Sequence, residues 1–215
     1  MKDKLRNWGY LFVFFAGFIF FNLPASTLRA EGVAAPQQAV ETFLKTIRSM
    51  QFPVQDQTKH DQLTHSANAY LDLEAMGKKS LEAHWQEASL EEQQKFMELL
   101  WKLIEYVAYP RSVKFMGDYQ ITYPEVRPAE KGFEVHSIIK QQAEGLEAKV
   151  IYHAYQNSAD AQWKIDDIVL DDVSITEDLK YQFDKIIMQS KFSGLLAKMK
   201  ERLEQAKKEN GLAQA

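Results

Sequence analysis

The stretch from Trp163 to Phe183, WKIDDIVLDDVSITEDLKYQF, changes its hydrophobic period partway along, and that change constrains the whole chain. Alternation at Trp163, Ile165 and Asp167, followed by Ile168 and Leu170, predicts a strand with one face on a core and a bulge where the parity slips. Ser174, with Glu177 three residues on, has the spacing of a capping box, so a helix is expected to start there. Leu179, Phe183, Ile186 and Ile187 then recur at three- and four-residue steps. Strand and helix face are therefore read as two walls of one apolar compartment. A filled core and a ligand cavity both satisfy that pattern, and the difference between them is the functional question.

The N-terminus reads as an export signal. Lys2, Lys4 and Arg6 precede an uncharged run from Gly9 to Phe21, closed by Pro24 and small residues. The run is shorter than the ~20 residues of a spanning helix, which predicts a signal peptide over residues 1–30, cut after Ala30, rather than an anchor. Leu28, three residues before the cut, is bulky for that position, so an uncleaved anchor is the alternative.

Residues 1–30 hold four of the 26 basic and one of the 30 acidic residues. The balance without them is 22 against 29, a net charge of −7. Nucleic acid and anionic headgroup surfaces both select basic proteins, so neither is expected as a partner. With no cysteine in the chain, thiol catalysis and disulfides are excluded. Stability must come from burial, for which 46% hydrophobic residues suffice in a domain of this size.

Taken in order, Ala34 to Met50 predicts a packing helix with Val40, Phe43, Leu44 and Ile47 on one face and Pro36 in its first turn. Gln51 to Ser66 is polar, with no apolar period, and reads as a loop. Asn68 to Ala88 resumes helical spacing, with a break expected at Gly77. Ser89 to Val107 is the clearest helix, opened by a Ser89/Glu92 capping box, with the helical region ending at Pro110 and Gly117. From Tyr119 the period becomes two, and strands are expected over Gln120–Tyr123, Phe133–Gln141, Leu146–Tyr155 and Gln162–Leu170. Their inward sets are Phe133, Val135, Ser137 and Ile139, then Leu146, Ala148, Val150, Tyr152 and Ala154. The closing helix runs from Ile175, with a charged tail over 204–215 that is expected to fray. The fold class is therefore α+β: a curved antiparallel sheet of about four strands, covered on one face by several helices, in a single domain over 31–203.

Candidate chemistry is sparse. His136 and His153 fall on the wet face by strand parity, His60 and His65 sit in the expected loop, and His84 lies on a helix surface; no metal site is expected. Asp166, Asp167, Asp171 and Asp172 lack the spacing of a calcium loop and read as turn residues and helix-dipole partners. Asp167 differs, since alternation places it inward, where a carboxylate needs a hydrogen bond or salt bridge. The chain has no GxSxG, phosphate-binding or dinucleotide motif.

The segments LDLEAMGKKSLEAHWQEASLEEQQKFMELL, YHAY, WKIDDIVLDDVSITEDLKYQF and SGLLAKMKERL, in that order, resemble the MlaC family of periplasmic phospholipid-binding proteins, also called toluene-tolerance auxiliary proteins. The resemblance spans roughly Ala35 to Leu203. Its most specific parts are the tryptophan ahead of Ser89 and the W-K-I-x-D-I and V-S-I pieces between Trp163 and Ile175. It implies a nuclear-transport-factor-like cone with a helical annex and an apolar cavity. It also implies a monomeric periplasmic carrier with phospholipid as its ligand and no further cofactor. Its partners would be an outer-membrane lipoprotein complex and an inner-membrane ABC transporter. On this reading the lipid tails contact Phe96, Leu100, Leu103, Val135, Ile139, Val150, Tyr152, Trp163, Ile165 and Phe183. The chain departs from the family at Asp172, where a glycine is usual, and at Asp178, Leu179 and Lys180, where the family carries an N-Y-R triplet. Two other readings make distinct predictions. An acid–base enzyme needs an inward Asp167 of raised pKa beside Tyr152; a periplasmic adaptor binding only proteins needs a fully packed interior.

Overall fold

The computed structural model describes residues 25–116, 119–141 and 147–210. Up to residue 24 the expected signal segment lies outside the described residues, while residues 25–30 belong to the first helix, α1 (Ala25–Arg48). Pro36 is thus interior to α1 rather than in its first turn.

Helix α2 (Gln57–Asn68) occupies the span expected to be a loop. Asp56 caps it by accepting from the amide of Lys59 at 3.0 Å. Its buried stripe is His60, Thr64 and Ala67, a helical spacing carried by a histidine, a threonine and an alanine instead of aliphatic residues. Helix α3 (Leu73–Leu81) follows, then α4 (Ala83–Glu87), and the break between them falls at Glu82, with φ of 45°, not at Gly77. Gly77 is buried inside α3, where a Cβ would lie 3.0 Å from Met97 Sδ and 3.1 Å from Leu100 Cδ2. Its missing side chain lets α3 press against α5 (Leu90–Leu103).

The capping box of α5 is complete: the Ser89 amide donates to Glu92 Oε2 at 2.9 Å, and the Glu92 amide donates to Ser89 Oγ at 3.3 Å. Helical structure does not stop at Pro110. A π turn (Ile104–Ala108) leads directly into α6 (Tyr109–Met116), so the proline lies in the first turn of a new helix.

Five antiparallel strands form a meander in sequence order: β1 (Tyr119–Pro128), β2 (Phe133–Gln141), β3 (Glu147–Gln156), β4 (Trp163–Leu170) and the two-residue β5 (Val173–Ser174). β1 is longer than expected because its register shifts between Thr122 and Glu125, which places Pro124 where no ladder amide is required. Leu146 lies outside the described residues; the other members of the predicted inward sets meet, with Val135 facing Tyr152, Ser137 facing Val150 and Ile139 facing Ala148. Asp171 and Asp172, both at positive φ, form a two-residue connection between β4 and β5. Asp171 extends the ladder by accepting from the amide of Lys149 at 2.9 Å. Aspartate tolerates this backbone region, so the turn forms with no glycine at either position.

Helix α7 (Ile175–Glu209) closes the chain, interrupted by non-helical geometry at Lys191. It continues past Leu203, where fraying was expected, because Ala206 is fully buried and Asn210 caps the helix. The core has two parts. One lies between the sheet and α1, α3 and α6; the other lies among α3, α5 and α7 and includes Phe96, Leu100 and Phe183.

Candidate functional site

The first core cluster does not fill its space. A cavity of about 210 Å³ lies between α1, the start of α3, the π turn with α6, and the sheet. From α1 come Phe43, Leu44 and Ile47; from the α3 region, Leu71, Leu73 and Met76. The π turn and α6 supply Ile104, Ala108, Tyr109, Ser112, Phe115 and Met116. The opposite wall is Ile139, Val150, Tyr152, Ile168 and Leu170, with Ile175 at the start of α7. None of these side chains is charged. Phe115, Leu170 and Ile175, at 39%, 42% and 36% exposure, mark where the cavity meets solvent.

Of the ten residues read as lipid contacts, Ile139, Val150 and Tyr152 are in this wall. Val135 and Ile165 are buried in the same cluster but behind it. Trp163 is half-buried, its ring 5.9 Å from that of Phe133, and it borders a separate shallow recess with Tyr70 and Ala39. Phe96, Leu100, Leu103 and Phe183 belong to the second cluster, where the rings of Phe96 and Phe183 meet edge to face at 5.6 Å. The expectation that β4 and the α7 face bound one compartment is corrected accordingly: the second cluster packs Phe183 against α5, away from the cavity. The α6 wall is not signalled by the sequence, in which Pro110 marks an end to the helical region. Ile168 and Leu170 were signalled by the parity slip.

That slip is a bulge. Tyr152 faces Ile168, but the register then shifts, with His153 opposite Asp167 and Ala154 opposite Ile165. Asp167 therefore lies on the His153 side of the sheet, not in the cavity, and is buried there by the start of α7. It accepts hydrogen bonds from Ser174 Oγ at 2.6 Å, Thr176 Oγ1 at 2.7 Å, the Thr176 amide at 3.2 Å and the Ile168 amide at 2.9 Å. Burial alone would push this carboxyl up, but the four donors outweigh it and hold Asp167 below the ordinary aspartate range. Only half of the expected capping box forms at Ser174: its Oγ accepts from the Glu177 amide at 3.1 Å, while the Glu177 carboxylate turns toward Lys79 and Lys180.

Among the described residues, the polar side chains that line the cavity are hydroxyls and phenols. Burial raises the phenols of Tyr109 and Tyr152 well above the ordinary tyrosine value. Tyr109 donates to Asn68 Oδ1 at 2.5 Å. His60, expected in a loop, is instead buried in α2, with Nε2 3.2 Å from Glu105 Oε1. Among the described residues, no group of three or more histidine, cysteine or carboxylate side chains is placed to hold a metal ion. Chemically, the site offers hydrocarbon and the means to exclude water.

A helix-covered antiparallel meander around an uncharged apolar cavity defines an α+β class in which a recess, not a catalytic cluster, is the distinctive feature. The chain belongs to the MlaC protein family, whose sequence profile matches residues 37–201. Among solved structures, a phospholipid-binding protein from Ralstonia solanacearum, in complex with a phospholipid, aligns with a TM-score of 0.65 at 20% identity. The alignment covers 81% of this chain and 98% of that one, a likeness of fold. None of the curated proteins compared with the chain matches it.

Proposed function

We propose that this chain is a carrier that holds the acyl chains of a phospholipid in the cavity bounded by α1, α6 and the sheet. The observation that carries the reading is a cavity wall that, among the described residues, has no charged side chain and opens to solvent past Phe115, Leu170 and Ile175. Family membership, and the phospholipid in the Ralstonia protein of the same fold, support it.

At ~0.8 kcal/mol per buried methylene, hiding two acyl chains from water is worth on the order of 25 kcal/mol before costs. A bilayer offers nearly the same, so transfer into the cavity is close to neutral and direction must come from partners. The carrier works in the periplasm after export. It exchanges lipid with an outer-membrane lipoprotein complex and an inner-membrane ABC transporter, which supplies the energy. Asp167, held ionised outside the cavity, lends no support to an acid–base enzyme, and an open cavity is not what a protein-only adaptor needs. Organic extraction of the natively purified protein followed by lipid mass spectrometry tests the reading. Co-purified phospholipid is expected; a lipid-free extract from protein that also refuses added lipid would overturn it.

A further inference from the structure

The two edges of the sheet are finished differently. On the β4 side, β5 pairs with Val169 and Leu170. Ile165 on the same strand is covered by the segment at Leu71, where the Ile165 amide donates to Tyr70 O at 2.7 Å and the Asp72 amide to Ile165 O at 2.9 Å. On the other side the sheet ends at β1. Among the described residues, no backbone hydrogen bond joins Tyr119–Tyr123 to any element other than β2.

An open edge is a template for a further strand, and proteins guard such edges with proline, charge and irregular register. β1 carries all three, but only in its second half. Pro124 and Pro128 lack amides, Glu125 and Arg127 are exposed and pair at 2.5 Å, and the register shifts between Thr122 and Glu125. The first half, YQITY over Tyr119–Tyr123, has no proline and no charge, and its residues through Thr122 hold a continuous register on Gln141–Ile138. Aromatic and β-branched residues of this kind suit strand pairing.

Beside the unguarded half lies a recess between α1 and β1, lined by Leu44, Lys45 and Arg48 and by Tyr119, Ile121 and Tyr123. Lys45 and Arg48 are exposed, and among the described residues neither enters an ion pair. Glu41, the carboxylate on the same recess, accepts from Gln37 Nε2 at 2.8 Å. Burial and Glu41 push the Tyr123 phenol up to about 12, with Arg48 opposing, so the phenol stays neutral beside these charges. In a chain of net charge −4, the two cations give this edge a local field of opposite sign. Positions i and i+3 of a helix hold their Cβ atoms about 5–6 Å apart, close to the roughly 6.7 Å between alternate residues of a strand. Carboxylates at alternate positions of an added strand can therefore meet Lys45 and Arg48 together.

We propose that Tyr119–Tyr123 is a docking edge for an extended acidic segment of a partner protein, which adds a strand beside β1 and sets alternate carboxylates on Lys45 and Arg48. Backbone hydrogen bonds supply the affinity, and the two cations select the partner. Pro124 limits the added strand at its far end. Pairing β1 with the β1 of a second copy would instead gather the cations of both copies in one field. The docking edge is independent of what the cavity holds.

The test titrates isotope-labelled full-length protein with a short peptide alternating threonine and aspartate, and with the same peptide carrying lysine in place of aspartate. Shifts and hydrogen exchange of the β1 amides are read by NMR. The acidic peptide is expected to bind and to slow exchange at alternate amides of Tyr119–Tyr123 but not at Glu125–Arg127, while the lysine peptide binds little. The double variant Lys45→Glu, Arg48→Glu, folded by circular dichroism, should bind the acidic peptide about tenfold more weakly or worse. No binding of the acidic peptide, binding that leaves the Tyr119–Tyr123 amides unprotected, or equal binding by the lysine peptide or the double variant would overturn the proposal. Protection that appears without peptide and grows with protein concentration would overturn it in favour of a second copy at this edge.

Discussion

The Asp167 carboxylate accepts from both the hydroxyl and the backbone amide of Thr176, at 2.7 and 3.2 Å, and so joins β4 to the first turn of α7. A buried carboxylate at a helix N-terminus satisfies an orphan amide and complements the helix dipole. Because its folded pKa is depressed, the stabilisation is present above the unfolded value of ~3.9 and is lost as pH falls through the lower folded value. Asp167→Asn is therefore expected to destabilise the protein by roughly 1.5–3 kcal/mol near neutral pH and to have a smaller effect in acid. Urea denaturation at pH 7 and pH 3 measures the difference. Equal losses at both values would show that ionisation of Asp167 is not the source.

Val150 lies in the cavity wall at 4% exposure. Val150→Trp should occupy the space meant for lipid, at a cost of about 1–3 kcal/mol from overpacking. The expected outcome is a folded protein, by circular dichroism, that carries much less phospholipid after native purification. Undiminished loading would remove Val150 from the site.

Phe96 is fully buried in the second cluster, against Phe183 and Phe192. Phe96→Leu should lower stability by about 1 kcal/mol or more while leaving lipid per folded molecule unchanged. A specific fall in loading at unchanged stability would restore Phe96 to the binding set.

Asn210→Ala removes the side-chain donor to the Tyr106 carbonyl. A net loss of ~1 kcal/mol is expected, together with faster hydrogen exchange across α6 but not in the first turns of α5. Exchange quickened equally in both helices would mean that Asn210 stabilises the helices generally and not the Ile104–Ala108 turn.

Much of the sheet was legible because alternation over Phe133–Gln141 and Leu146–Tyr155 leaves one register that joins the two inward sets, and Val135–Tyr152 and Ser137–Val150 pair accordingly. The parity slip near Asp167 was legible as a bulge, but not the side to which the carboxylate turns, which depends on the register shift opposite His153 and Ala154. α2 was hidden because His60, Thr64 and Ala67 carry its buried stripe, and only contact with Phe52 and Glu105 makes a histidine a core residue there. α6 was hidden by Pro110, a breaker in most contexts, which a π turn here makes the start of a helix. The cavity itself was the least legible element. Val40 and Phe43 share one face of α1, yet only Phe43 borders open space, because wall and core are distinguished by what lies opposite.

The central claim is that lipid tails occupy the space between α1, α6 and the sheet, and photo-crosslinking tests it most directly. The full-length protein is loaded with phosphatidylcholine bearing a diazirine near the acyl terminus, irradiated, digested and mapped by peptide mass spectrometry. Labelling is predicted in peptides that carry Phe43–Ile47, Ile104–Met116 and Val150–Tyr152. Labelling confined to peptides of the second cluster, around Phe96 and Phe183, or scattered over the exposed surface, would contradict it.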